Sequence, residues 1–355
     1  MDNPKISVII PLYNRRHCIE YCIDSALNQT FQDYEVIVRD NCSTDGSYEF
    51  VQERYSKQIN EGKLRLYRNE ENVGLYRSQE TSIKVSKGKY FMILHSDDMI
   101  LPHALQHLHE VVEKTNADVV HQSMCLDMPQ GKFSNNINDL KPSRLDFMLF
   151  DGVVVLPDDP TFRFSQWFSS GTMHDTQYNL FNKKFALDNE IFAYEHDCYY
   201  TALLWIMLSK VLVKTPLPCY IRSSLNDAGK NANFSSELFL IILNDIFQSI
   251  KDMDNFFPKV DFFKNNEPAQ YMAKARYISM QESFFIISKN AYKDGITPEL
   301  YNTAKEFFKK NFGDNYFYPM YLSNRLYTIT QNRRVDVINS VSTAAPPLPR
   351  IGVAA

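Results

Sequence analysis

The sequence predicts an α/β protein built on a mostly parallel sheet, with an α-helical region appended at its C-terminal end. Three observations predict it. Short β-branched runs alternate with stretches of helical periodicity from residue 6 to about 122, the pattern of strand–helix–strand units. Of those short runs, Tyr90-Phe91-Met92-Ile93-Leu94 is apolar throughout, as in a buried strand. After about residue 225 they give way to long stretches with apolar residues at helical spacing, which reads as helix.

Taken in order, Ile6-Ser7-Val8-Ile9-Ile10 is the first strand, followed by Pro11-Leu12-Tyr13-Asn14. Ile19, Cys22, Ile23, Ala26 and Leu27 recur at helical spacing. Tyr34 to Val38 is a second strand, ending in Arg39-Asp40-Asn41-Cys42-Ser43-Thr44-Asp45-Gly46, a turn rich in helix-capping residues. Leu64 to Tyr67 is a third strand, leading through Asn72-Val73-Gly74 into a helix that reaches Ser86-Lys87-Gly88. Tyr90 to Leu94 is the fourth, and Asp118-Val119-Val120 reads as a fifth. Residues 126–170 are rich in Asn, Asp, Pro and Gly and read as long connections over the functional face. An apolar helix from Tyr199 to Leu208 and a strand region from Lys214 to Tyr220 follow. The expected divisions are 1–225 for the catalytic α/β domain, 226–330 for the helical region and 331–355 for a loose tail.

The 355 residues carry a net charge of −4. No global basic field favours nucleic acid. The six cysteines form no CxxC pair, and the chain runs from Met1 straight into a strand with no signal-peptide pattern. No stretch is long and apolar enough to span a bilayer. A reducing cytoplasmic setting is the expectation, with peripheral membrane contact and a homo-oligomer left open. The stripe of Phe, Tyr and Lys from Tyr301 to Tyr327 suits either an interfacial surface or a helical core.

The fourth strand ends in His95-Ser96-Asp97-Asp98, and a short turn and a helix opened by Pro102 at its first position are expected to follow. Charge directly after a buried strand is costly unless water, a metal or a ligand receives it. In open α/β sheets the crevice at the carboxyl ends of the strands is where ligands bind. Read alone, the two aspartates either solvate a loop or form a site. Acid and amide groups also close two other strands, at Asp40-Asn41 and Asn72, and their convergence favours the site. No GxxxxGK[ST], strand-following GxGxxG or GxSxG stretch occurs.

With these pieces in order, the chain resembles the family 2 glycosyltransferases of the GT-A fold over roughly residues 5–225. The resembling pieces are Ser7 to Asn14, Ser25 to Phe31, Tyr34 to Ser47, Asn72-Val73-Gly74, Lys87 to Tyr90 and Ser96-Asp97-Asp98 with Pro102 beyond. The resemblance implies a nucleotide-diphosphate sugar donor lying across the strand ends. It implies Pro11, Tyr13 and Asn14 beside the nucleoside, Asp40 and Asn41 facing base or ribose, and Asn72, Arg77 and Ser96 along the donor. Asp97 and Asp98 match the acidic motif that holds Mn²⁺ or Mg²⁺ against the diphosphate, in keeping with the preference of hard dications for oxygen. The implied acceptor is a hydroxyl of a glycan or lipid-linked saccharide in surface polysaccharide synthesis. Two departures stand out: His95 replaces a common acid, and Asn41 replaces the second of two acids, and an amide and a carboxylate read different base edges.

An inverting transfer needs a base for the acceptor hydroxyl. The family's acidic pair at a helix start matches Tyr194-Glu195-His196-Asp197, so Asp197 is the expected base and Glu195 the second choice. Either acid also suits the helix's positive end. His103 and His107, four apart, suit a zinc site or a solvated helix face. Trp167, Phe168 and Met173 suit an acceptor wall or the core, and Arg222 a phosphate or an ion pair. A nucleotidyltransferase is a rival reading, but it would carry a Gly- and Arg-rich loop after the first strand, where this chain has Pro11-Leu12-Tyr13-Asn14. A non-catalytic scaffold is another, and the intact Asp97, Asp98 and Asp197 argue against it.

Overall fold

The computed structural model describes residues 3–129, 137–144, 152–169, 175–193, 198–223 and 248–277, with positions 306 and 310. Glu195, Asp197, Met173, the tail and, apart from Glu306 and Lys310, the stripe from Tyr301 to Tyr327 lie outside the described residues.

The strands are β1 (Ile6–Leu12), β2 (Tyr34–Asp40), β3 (Leu64–Arg68), β4 (Tyr90–Ile93), β5 (Met99–Ile100), β6 (Val119–Gln122), β7 (Met124–Asp127), β8 (Lys141–Arg144), β9 (Val154–Val155), β10 (Asn179–Asn182), β11 (Leu212–Thr215) and β12 (Tyr220–Arg222). The helices are α1 (Ile19–Leu27), α2 (Ser47–Arg54), α3 (Ser56–Asn60), α4 (Leu75–Val85), α5 (Ala104–Thr115), α6 (Pro160–Ser169), α7 (Lys183–Asp188) and α8 (Cys198–Leu208).

Eight strands form the main sheet in the order β3-β2-β1-β4-β10-β6-β11-β9. Six of them run parallel, and β10 and β9 run antiparallel to their neighbours. Every residue of β1, β2 and β4 is buried, which is why those segments read as mostly apolar, with Ser7, Glu35, Arg39 and Asp40 the polar residues buried among them. One side of the sheet packs α1 and α5 through Ile19, Ile23, Leu105 and Leu108. The other packs α6 and α8, with Trp167 and Trp205 fully buried. Met253, Phe256, Phe257 and Phe263, from the helical residues 248–277, belong to that second core, and the Tyr200 hydroxyl donates to the Asp252 carbonyl at 3.1 Å. No helix among the described residues is long and apolar enough to cross a membrane.

A second sheet, β5-β12-β7-β8, was not legible in the sequence. It corrects one local reading. The residues after Asp98 do not turn directly into a helix opened by Pro102. Met99 and Ile100 first pair with Ile221 and Tyr220, and α5 starts only at Ala104. His103 and His107 are also settled as structural. Their Nε2 atoms lie 3.3 Å from the Pro218 carbonyl and 2.7 Å from the Thr215 hydroxyl, tying α5 to the segment between β11 and β12.

At the amino end of β4, Gly88 is held by close contact. A Cβ there would lie 2.6 Å from the Ser7 nitrogen and 2.6 Å from the Tyr90 carbonyl. The Gly88 N–H donates to the Ser7 hydroxyl, which itself donates to the buried Glu35 carboxylate. Gly88→Ala is expected to force backbone apart and to destabilise by about 1–3 kcal/mol. Thermal melting checks it, at roughly 2–4 °C per kcal/mol for a domain of this size.

Candidate active site

The carboxyl ends of β1, β2 and β4 open onto one cleft of about 1070 Å³. Pro11, Tyr13, Asn14, Asn41, Asn72, Ser96 and Asp97 all line it, together with His95 and Arg15. Parallel strands bring this about, because each ends at the same edge and hands its next residues to the same side. Tyr13 is 43% exposed at the cleft wall. Asn14 takes a left-handed conformation with φ of 51°, and its Oδ1 accepts the Thr44 N–H at 2.9 Å. This contact joins the β1 and β2 ends.

Asp40 and Asn41 hold the cleft's frame. Asp40 is fully buried, with Oδ2 accepting the Ser43 N–H at 3.0 Å and lying 3.5 Å from Arg68 Nε in an ion pair. The Asn41 side chain donates to Asn72 Oδ1 at 2.6 Å and accepts from Asn69 Nδ2 at 2.9 Å and the Val73 N–H at 3.0 Å. An amide can both donate and accept, so one residue fixes the whole segment from Asn69 to Val73. A carboxylate at position 41 could not donate to Asn72. Arg77 lies apart from this group, in a neighbouring cleft with Arg68 and Glu71.

The turn after β4 brings three ligating groups together. The Asp98 N–H donates to the His95 carbonyl at 2.9 Å, closing the turn. One ligand atom each from His95, Asp97 and Asp98 fall within 4.8 Å of one another. Below the turn, the Cys22 and Cys18 thiols of the α1 region donate to the His95 and Ser96 carbonyls at 3.3 and 3.7 Å. Burial pushes the Cys22 thiol's pKa up, with further push from Asp98 and Asp97. It is therefore a packed, protonated thiol.

Asp98 is gripped from the second sheet. Its Oδ2 accepts the Tyr220 hydroxyl at 2.7 Å and its Oδ1 accepts the Ser223 N–H at 2.7 Å. Tyr220 is fully buried, and its oxygen also accepts the His95 N–H at 3.1 Å. Burial pushes the Asp98 carboxyl up to about 7, and the Asp97 charge adds to it. Burial likewise lowers the His95 pKa, against the opposing pull of Asp97 and Asp175. Asp97 is more open, with 24% of its side chain exposed and Arg15 Nε at 3.8 Å.

Four residues at this site carry no sequence signal of their own: Arg15, Asp175, Tyr220 and Ser223. Tyr220 and Asp98 are 122 positions apart. Arg222, in contrast, is a bidentate ion pair with Asp127, at 2.8 and 3.0 Å. Trp167 is core, with its Nε1 donating to the Tyr199 carbonyl at 3.1 Å, and Phe168 packs on the same core. The acids expected to serve as base, Glu195 and Asp197, lie just before α8 and outside the described residues.

Comparison with known proteins agrees with this geometry. Glycosyltransferase GlyG of Streptococcus pneumoniae is 32% identical over 115 residues, which are 32% of this chain and 37% of GlyG. The poly(ribitol-phosphate) beta-glucosyltransferase of Bacillus spizizenii is 34% identical over 117 residues, 32% of this chain and 18% of that protein. The chain thus spans well under two thirds of either relative. The crystal structure of S. aureus TarS 1–349 in complex with UDP-GlcNAc superposes with a TM-score of 0.62 at 15% identity, covering 94% of this chain and 92% of that one, and so shows the GT-A fold. The description "Glycosyl transferase family 2" matches residues 7–184. Those residues are half of the chain and include the three strand ends and the His95–Asp98 turn: the chain belongs to glycosyl transferase family 2.

Proposed function

We propose that this chain moves a sugar from a nucleotide-diphosphate donor to a hydroxyl of a glycan or lipid-linked saccharide, with inversion and with Mn²⁺ or Mg²⁺ at the turn after β4. The observation that carries the reading is the convergence of three parallel strand ends on one cleft, with Asp97 opening into it. The name of one relative, a poly(ribitol-phosphate) beta-glucosyltransferase, supports transfer of a sugar onto a polymer.

The donor set fits a hard dication. Two carboxylates and an imidazole lie within 4.8 Å of one another, a cluster short enough to share one ion, with water and phosphate oxygens completing its shell. Repulsion between Asp97 and Asp98 makes the pair unfavourable without a cation, and a positive charge beside them removes that cost. When bound, such an ion neutralises charge on the departing diphosphate. Asp97 offers it an open carboxylate, while Asp98 is oriented by Tyr220 and Ser223. Tyr13 presents an exposed ring at the cleft wall for a base, and the Asn41-centred amide network keeps that wall in place. Asp197, with Glu195 the second choice, takes the proton from the acceptor hydroxyl as its oxygen attacks the anomeric carbon and the C–O bond to the diphosphate breaks. The setting is the cytoplasm; the free thiols of Cys22, Cys42, Cys125 and Cys219 fit a reducing compartment.

Tyr220 acts through Asp98 as a positioning residue. Tyr220→Phe removes the donor to Asp98 and is expected to weaken Mn²⁺ binding by about 10–100-fold, the usual cost of losing a partner that orients a metal ligand. Calorimetric titration with Mn²⁺ alone reads this without any turnover. The proposed function itself is tested by thermal shift with a panel of nucleotide sugars and Mn²⁺, since a ligand of the folded state raises its stability. A rise with at least one donor is expected, and no rise with any member contradicts the reading.

A further inference from the structure

The sheet's direction segregates charge. Its carboxyl edge carries Asp40, Asp97 and Asp98, whereas its amino edge carries more lysines than acids, Asp33 before β2 and Asp118 before β6 being the acids that precede strands there. Lys5 precedes β1, Lys63 precedes β3, Lys87 and Lys89 precede β4, and Lys210 precedes β11. Because β10 runs antiparallel, its end delivers Lys183 and Lys184 to the same edge. Lys87, Lys89, Lys183, Lys184 and Lys210 surround one open cleft of about 720 Å³.

Not all of these cations are free. Lys63 is tucked against the Gln32 and Tyr34 carbonyls, and burial lowers its pKa to about 8. Lys183 donates to the Ser86 carbonyl, and Lys184 pairs with Asp188. Lys5, Lys87, Lys89 and Lys210 are exposed, and among the described residues none of the four ammonium groups meets a carboxylate. The nearby Asp118 is already committed, accepting the Lys210 and Val211 N–H groups at 2.8 and 3.0 Å. A chain of net charge −4 thus shows a net excess of positive charge on one edge.

The shape of the row indicates its partner. Adjacent strands are about 4.8 Å apart, so the four steps from β1 through β4, β10 and β6 to β11 spread the lysines over roughly 19 Å. That is too broad for one small anion. Apolar side chains stand at the same edge: Leu187 is 39% exposed beside the cleft, and Val155, near the start of β11, is 54% exposed. Separated cations with exposed aliphatic groups between them match an anionic lipid surface, where each lysine near the phosphate plane adds attraction.

We propose that the amino edge of the main sheet, through Lys5, Lys87, Lys89 and Lys210, docks this protein on a membrane rich in anionic phosphodiester lipids. The donor cleft then faces away from the bilayer. Seven residues of β1 separate the two edges, a rise of roughly 23 Å at about 3.3 Å per residue. The nucleotide sugar arrives unobstructed from solution, and the acceptor hydroxyl must stand well clear of the lipid headgroups.

Co-sedimentation with vesicles tests this. Vesicles of phosphatidylcholine mixed with phosphatidylglycerol are expected to carry the full-length protein down, and vesicles of phosphatidylcholine alone are not. The triple variant Lys87→Glu, Lys89→Glu, Lys210→Glu should lose at least about 100-fold in partition, at about fivefold per lysine, with an unchanged melting temperature. If the variant does not fold, the salt dependence of wild-type binding reads the same charges, because added salt screens them. Equal binding to both vesicle types, or salt-independent binding, overturns the proposal. So does binding of soluble polyphosphate, read by a rise in melting temperature, without any binding to vesicles.

Discussion

Asp97→Asn is expected to cut metal-dependent transfer by at least about 100-fold, since a dication at a developing diphosphate supplies several kcal/mol and each 1.4 kcal/mol is tenfold. The variant is informative because so little of the fold rests on Asp97. Its side chain is 24% exposed and its ion-pair partner among the described residues, Arg15, is 3.8 Å away. An amide of the same shape therefore leaves the turn intact, and the melting temperature should hardly move. Asp98→Asn is a poorer probe of the same idea. Both of its oxygens are hydrogen-bonded at 2.7 Å, so that change disturbs the joint between the two sheets as well as the proposed metal ligand. Nucleotide release measured over a Mn²⁺ series, beside a melting curve, separates the two effects.

The second large effect is expected from Asp197→Asn. Loss of a positioned general base typically costs about 10²–10⁴-fold, and the loss should fall on kcat while donor affinity is kept. Asp197 lies just before α8, whose body is anchored by the buried Trp205, Leu203 and Ile206, so the substitution leaves that packing alone. Glu195→Gln is expected to cost less. A larger loss from Glu195→Gln than from Asp197→Asn, in steady-state kinetics with saturating donor, would reverse the two roles.

The strands that build the donor cleft were legible because of their depth. β1, β2 and β4 are buried throughout, so they appear as mostly apolar runs, interrupted at Ser7 and Glu35, and the polar residues that end them mark the open edge. The second sheet was not legible. β5 has two residues and β12 three, too few to show a period. The Tyr220–Asp98 contact joins segments that are neighbours only in the folded chain, and no spacing announces it. Pro102 misled for a related reason. Pro favours a helix start, but pairing of Met99–Ile100 with β12 delays the helix to Ala104. At Asn41 the residue type carried more than expected. Its amide bridges Asn69, Asn72 and Val73, a scaffolding contact that requires the donor group an acid lacks. Trp167, read as either acceptor wall or core, went to the core because α6 lays it against α8.

His95 is the local departure that the structure makes concrete. Its ring shares the ligand cluster with Asp97 and Asp98, and its backbone is pinned by Tyr220 and Cys22. A ligand at this position is therefore held from two sides, by α1 and by the second sheet, and the turn has little freedom to rearrange when a donor enters.

The central claim is that the turn after β4 couples a divalent cation to the donor diphosphate. Calorimetric titration of the wild-type protein and Asp97→Asn with a stabilising nucleotide sugar, each with Mn²⁺ and with a chelator, tests it most directly. The account predicts that Mn²⁺ tightens donor binding to the wild type and has no effect on Asp97→Asn. Equal tightening in both proteins would contradict it.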